Sequence, residues 1–276
     1  MDGALELTTH ILVLALLAIA VVGVVRLAKY RDRFRQRIAS APDGRSWFYR
    51  HAIINAWIMA AFVPLIVLTS AELTAADVGW AWPHGDGLDY LFAAAMFVAL
   101  GVGGLLARYR MRRGHAYPGR SGAAAVIPRT ATERRLAVAV SFTAGITEEA
   151  LYRGLLIAVG TQLYDLPLIL VAAVSLALFV AAHVYQGRLA LLGVAYTGAL
   201  LTAIYLISGS LLLAIVVHIW QDLVALLLVP PHPTTPPPAP RTNPDPPPTE
   251  PAPHAPATPT KPPSHTPPKI RSPFPH

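Results

Sequence analysis

Apolar residues in this chain come in long blocks separated by short polar stretches, with neither the two-residue alternation of a half-buried strand nor a single helical stripe. Runs of mostly apolar residues fall at 7–28, 51–73, 88–108, 134–161, 166–186, 189–207 and 209–229. Each is close to the length that crosses a bilayer as a helix. They predict an all-α, polytopic integral membrane helix bundle of about seven transmembrane helices. The last four are crowded, so one can be re-entrant, and six or eight spans stay open as alternatives.

The polar stretches set an orientation. Basic residues gather in two blocks, Arg26–Arg50 and Arg108–Arg135, whereas the connection Ala71–Asp89 holds Glu72, Asp77, Asp86 and Asp89 and no Lys or Arg. The positive-inside bias puts the basic loops and the C-terminal tail in the cytoplasm of a multi-pass protein of the cell (plasma) membrane. The first apolar run follows Asp2 and Glu6 and precedes the Arg-rich block, the reverse of a signal peptide's charge order. It reads as a retained helix entering from outside.

From Pro230 onward the chain changes character, with 21 of its 27 prolines in Pro230–His276. Proline favours polyproline II and removes backbone donors, so this tail is expected to be disordered and semi-stiff, with Pro-x-x-P docking as the less favoured role. Three regions follow: N-terminal helices with basic loops (1–130), a membrane core (131–229) and the Pro-rich tail (230–276).

Composition narrows the chemistry. The chain is 54% hydrophobic and 13% charged, far from the charge content of soluble domains. The net charge of +7 is accounted for by the loop blocks, so no nucleic-acid partner is expected; the lipid bilayer is the expected surroundings. There is no cysteine, which excludes disulfides, thiolate metal sites and a cysteine nucleophile.

Ionisable groups inside apolar segments cost about 2.5–3.5 kcal/mol each at mid-membrane on insertion scales, so they mark function or pairing. Glu148, Glu149 and Arg153 lie in one such segment, His183 in the next, and His218 with Asp222 in another. On a helix, Glu149 and Arg153 are one turn apart and can pair, while Glu148 faces away from that pair with Tyr152. An unpaired buried carboxylate is a candidate general base. His218 and Asp222 share a face, and the aspartate can fix the imidazole tautomer. Ser141, Thr143 and Thr147 read as intrahelical hydrogen-bonders. Gly101–Gly104, Gly154, Gly193 and Gly198 read as sites of close helix approach, Gly154 alternatively as room for substrate backbone. His10, His51, His84 and His115 lie at helix ends or loops and need no catalytic role.

These residues resemble three ordered motifs of the CPBP intramembrane proteases, also called the Abi or CAAX-protease family, which includes the type II CAAX prenyl endopeptidases. The motifs stand here as Glu148-Glu149-Ala150-Leu151-Tyr152-Arg153, Phe179-Val180-Ala181-Ala182-His183 and His218-Ile219-Trp220-Gln221-Asp222. The resemblance covers about Glu133–Val229. It implies an intramembrane endopeptidase acting on a membrane-associated peptide or protein, in CAAX-type or bacteriocin- or leader-like processing. By that resemblance Glu148 activates a water, His183 assists, His218 and Asp222 stabilise the oxyanion, and Glu149 and Arg153 are structural supports.

A divalent metal such as zinc is open as a cofactor, since family members are often labelled metalloproteases; Glu148, His183 and His218 would be its ligands. The chain has no His-Glu-x-x-His motif. Where eukaryotic relatives carry Asn, Asp222 can be protonated, can orient His218, or can join a metal; orientation of His218 is the favoured role. Three other readings compete: a buried ion-pair network, a proton-coupled transporter, and a non-catalytic scaffold of the bacteriocin-immunity kind. The depth of Glu148, about 21 Å along a helix from Arg134, requires a cytoplasmic helix start, a tilt or a water-filled cavity. The sequence does not set the substrate, the oligomeric state or the tail's partners.

Overall fold

A computed structural model describes residues 2–84, 87–115 and 124–228. Asp86, part of the second basic block and the Pro-rich tail lie outside the described residues. The described chain is helical: α1 (Asp2–Lys29), α2 (Arg31–Ser40), α3 (Gly44–Ala60), α4 (Phe62–Thr69), α5 (Leu88–Arg112) and α6 (Ala131–Glu148) come first. Beyond α6 the same rod continues through wider π turns at Glu149–Leu155 and Val159–Leu163. Then come α7 (Leu168–Ala182), α8 (Arg188–Ser208) and α9 (Leu211–Leu223), the last extended by a π turn at Val224–Leu228.

Five of these helical stretches are long and apolar enough to cross a membrane: Gly3–Lys29, Gly44–Thr69, Leu88–Arg112, Arg188–Ser208 and Leu211–Leu228. The expected spans 134–161 and 166–186 differ from them. The first corresponds to the α6 rod, whose polar side chains include Glu133, Arg134, Arg135, Glu148, Glu149 and Arg153, and the second holds α7, only 15 residues long. The expected span 51–73 starts earlier, at Gly44, and breaks between α3 and α4. Pro64 has no N–H to offer the carbonyl one turn back, which accounts for the break. Unforeseen was α2, a short basic helix in the first polar block; its Arg37 guanidinium lies 4.0 Å from the ring centre of Trp47.

α6 occupies the middle, packed most extensively against α3 and α9. Its start is fixed by a capping box. Thr130 Oγ1 accepts from the Glu133 amide at 3.1 Å, and Glu133 Oε2 accepts from the Thr130 and Arg129 amides at 3.1 and 2.6 Å. Where α6 meets α9, a Cβ on Gly145 would overlap Ile219. Ser141 and Thr147 donate to the carbonyls of Ala137 and Thr143, the intrahelical use expected of them.

The main apolar core runs from Val13 and Leu16 of α1 through Val63 and Ile66 of α4 to Leu151 and Leu155 of the first π turn and Ile215 of α9. The acidic connection after α4 folds back into it, burying Leu73 and Val78. Gly79 (φ +80°) and Ala81 then tie this loop to the α8–α9 turn, the Gly79 carbonyl accepting from the Leu211 amide at 2.9 Å and the Ala81 carbonyl from Ser210 Oγ at 2.6 Å. Gly154 faces the Val78 carbonyl, so it serves this close approach and not a substrate backbone. Gly101 packs on Trp220, Gly104 on Val224 and Gly198 on Phe179, whereas Gly193 has open space around it.

Candidate active site

The α6 rod, the end of α7 and α9 bring the ionisable residues together. Glu148 closes α6 and Glu149 opens the first π turn. The i→i+5 turn narrows the angle between neighbouring side chains, and such turns recur at functional sites. Both glutamates reach the same histidine from different sides.

Glu149 is fully buried, and its Oε1 accepts from Arg153 Nη1 at 3.0 Å and lies 2.6 Å from His218 Nδ1. The pairing of Glu149 with Arg153 that the spacing suggested is therefore present. Arg153, 1% exposed, spends its other nitrogens on α8, with Nη2 donating to the Gly198 carbonyl at 3.0 Å and Nε to Thr202 Oγ1 at 3.4 Å. Its guanidinium also covers the Phe179 ring at 4.3 Å. One buried cation thus joins the α6 rod, α7 and α8, and it neutralises the carboxylate that holds His218.

That last contact corrects one expectation. The partner fixing His218 Nδ1 is Glu149, whose Oε1 lies 2.6 Å away, not Asp222, which makes no hydrogen bond to the ring among the described residues. With Nδ1–H held by a carboxylate, Nε2 faces the cavity. His183 is held likewise, its Nδ1 2.8 Å from the Phe179 carbonyl, which can only accept. Its Nε2 is thereby turned toward the same space.

Glu148 lies where these two nitrogens converge. Its Oε2 is 3.9 Å from His183 Nε2 and 4.0 Å from His218 Nε2, and it has no hydrogen-bond partner among the described residues. The Glu148 side chain is 25% exposed, whereas that of Glu149 is sealed, so the two neighbours have opposite access. Gaps of this size exceed a hydrogen bond but suit a single water bonded at about 2.8 Å to each side.

The site lies in a cavity of about 200 Å³ whose lining includes Tyr49, Ile127, Glu148, His183, His218 and Asp222. Tyr49, on α3, donates its hydroxyl to the Val126 carbonyl, joining two residues of the cavity wall. Tyr185, in the turn after α7, packs on His183; burial raises its phenol well above the usual range and keeps it protonated. The cavity therefore lies at the end of the bundle that carries the first basic segment and the 184–187 turn, which is how Glu148 is reached despite its depth along α6. His10, His51 and His115 lie elsewhere, bonded to Tyr164 and to the Trp47 and Arg110 carbonyls.

Three lone pairs, from Glu148 Oε2 and the two Nε2 atoms, are chemically a set that a divalent cation accepts. As placed, no group of three His, Asp or Glu among the described residues is close enough to grip an ion. A water between them has only two protons for three acceptors, and a proton carried by one of the three would complete the set.

The family description "Type II CAAX prenyl endopeptidase Rce1-like" matches residues 131–224, which holds every ionisable residue of the site. No curated protein and no solved structure matches the chain. Residues 131–224 thus match the CAAX-type prenyl endopeptidase family, within a multi-pass membrane protein.

Proposed function

We propose that the protein hydrolyses a peptide bond of a membrane-associated peptide or protein, of CAAX or leader type, at the cytoplasmic side of the plasma membrane. Glu148 acts as general base: its Oε2 takes a proton from a water shared with His183 Nε2, and that water attacks the scissile carbonyl. The observation that carries this reading is the unpartnered Glu148 oxygen facing two ring nitrogens at 3.9 and 4.0 Å.

His218 supplies the extra proton that the acceptor count calls for. Held at Nδ1 by Glu149, it presents an Nε2–H to the oxyanion as the tetrahedral intermediate forms. Glu149 and Arg153 are positioning residues, acting through His218 and through the docking of α8. Glu148 then hands the proton it took from the water to the leaving nitrogen as the C–N bond breaks, so that the amine departs neutral. Asp222 lines the same cavity. A divalent ion such as zinc would draw on Glu148, His183 and His218, which among the described residues are not gathered to gripping distance.

The test is product analysis. Purified full-length protein in proteoliposomes is given a library of membrane-anchored peptides, prenylated CAAX peptides among them, in ¹⁸O-labelled water. The expected result is a new carboxylate carrying the label, absent with Glu148→Gln and unchanged by a chelator. Loss on chelation would replace the free water by a metal-bound one, and proton flux without any cleaved product would replace hydrolysis by transport.

A further inference from the structure

One polar side chain beside the site has an acceptor atom left without a partner among the described residues. Gln221, on α9 between His218 and Asp222, lines the catalytic cavity of about 200 Å³ and also a second, larger groove of about 540 Å³. That groove runs between α5 and α8, walled by Met96, Leu100, Gly104, Tyr196 and Leu200. Gln221 and Ala225, one turn apart, form the strip common to both spaces.

The Oε1 of Gln221 is buried and has no hydrogen-bond partner among the described residues. A buried acceptor left unpaired is unfavourable, and a leucine or methionine of similar size would fill the same wall without that cost. The helix cannot turn to relieve it, because the adjoining Trp220 donates Nε1–H to the Phe97 carbonyl at 2.9 Å and stacks on the Phe97 ring at 14°. The stretch of α9 that carries Gln221 is therefore held with this residue in the wall common to the two spaces.

What satisfies it must donate. A lipid acyl ester offers only acceptors, whereas a peptide group offers an N–H for Oε1 and a carbonyl for the Gln221 NH₂. We propose that Gln221 binds substrate: its amide pairs with a backbone peptide group beside the scissile bond, fixing the chain where the groove meets the catalytic cavity. This rests on the protease reading above and names the group that registers the peptide against Glu148.

The experiment uses full-length protein in proteoliposomes and a membrane-anchored peptide that wild type cleaves and Glu148→Gln does not. Gln221→Leu is expected to raise KM about tenfold, with kcat within about twofold, as for one lost hydrogen bond to a substrate. Thermal stability should hold or rise, since an unpaired buried amide is removed; Gln221→Met repeats the comparison should the leucine variant fold poorly. Replacing the flanking backbone amides of the peptide by esters, one at a time, should find one position that weakens wild type equally and adds nothing to Gln221→Leu. Unchanged KM in both variants, or a drop in thermal stability that carries kcat down with it, would overturn the proposal. Cleavage by Glu148→Gln at the wild-type rate, or no cleavage of any peptide, would overturn the protease reading and this inference with it.

Discussion

Two adjacent glutamates take opposite roles because one step along the helix separates a sealed environment from a cavity wall. Glu149 shares one oxygen between Arg153 and His218, while Glu148 keeps an unpaired oxygen toward two histidines. The Glu149–Arg153 pair was legible in the sequence because an i,i+4 spacing on a helix fixes geometry locally. The Glu149–His218 contact was not, since those residues are 69 positions apart and only packing of α6 on α9 joins them. Asp222 looked like the orienting carboxylate for the same local reason, and tertiary packing supplied a nearer one. Arg153→Met should destabilise the protein by about 3–5 kcal/mol, the range for removing one partner of a buried pair. Thermal unfolding in detergent reads this directly, and a melting temperature equal to wild type would sink the claim that Arg153 compensates Glu149. His183→Ala should instead leave stability near wild type and slow cleavage by about 10²–10⁴-fold.

The elements matter through where they begin and how they turn. α6 places Glu148 because its start is fixed by Thr130 and Glu133, a capping box readable as Thr-x-x-Glu yet overshadowed by the apolar run that follows. Thr130→Ala should cost about 1 kcal/mol of stability, measured by chemical or thermal unfolding, and no change would mean that packing on α3 alone sets the helix start. The π turns after Glu148 left no signal in the hydrophobic pattern, which follows a 3.6-residue period and does not resolve a single widened turn. The acidic loop after α4 showed in the sequence only its charge, and Leu73 and Val78 draw it into the core. Within it, hydrogen bonds from the Thr74 hydroxyl and amide hold the Asp77 carboxyl below its ordinary range. A depressed carboxylate stabilises the fold above its unfolded pKa of about 3.9 and loses that contribution as pH falls through the lower folded value. The protection of amides 74–79 relative to their intrinsic exchange rate should therefore fall below about pH 4, and Asp77→Asn should abolish that fall. Protection factors indifferent to pH in both proteins would show that the core, not this carboxylate, holds the loop.

At the scale of the molecule, the helical class and most apolar segments were evident from hydrophobic blocks alone, because a bilayer demands internally bonded backbone. The count was less legible: the α6 rod carries too many charges, and α7 is too short, to satisfy a length-and-hydropathy rule, since both are sheltered by neighbouring helices. What the whole bundle achieves is a cavity that brings solvent to Glu148 at one end while Arg153 and Glu149 close the other side. The most direct measurement is the cleavage rate of purified Glu148→Gln beside wild type, with thermal unfolding of both recorded in the same membrane mimic. The account predicts a loss of about 10²–10⁴-fold or more in rate with the melting temperature unchanged, as for removal of a general base that makes no structural contact. Cleavage at the wild-type rate by a folded Glu148→Gln protein would contradict it.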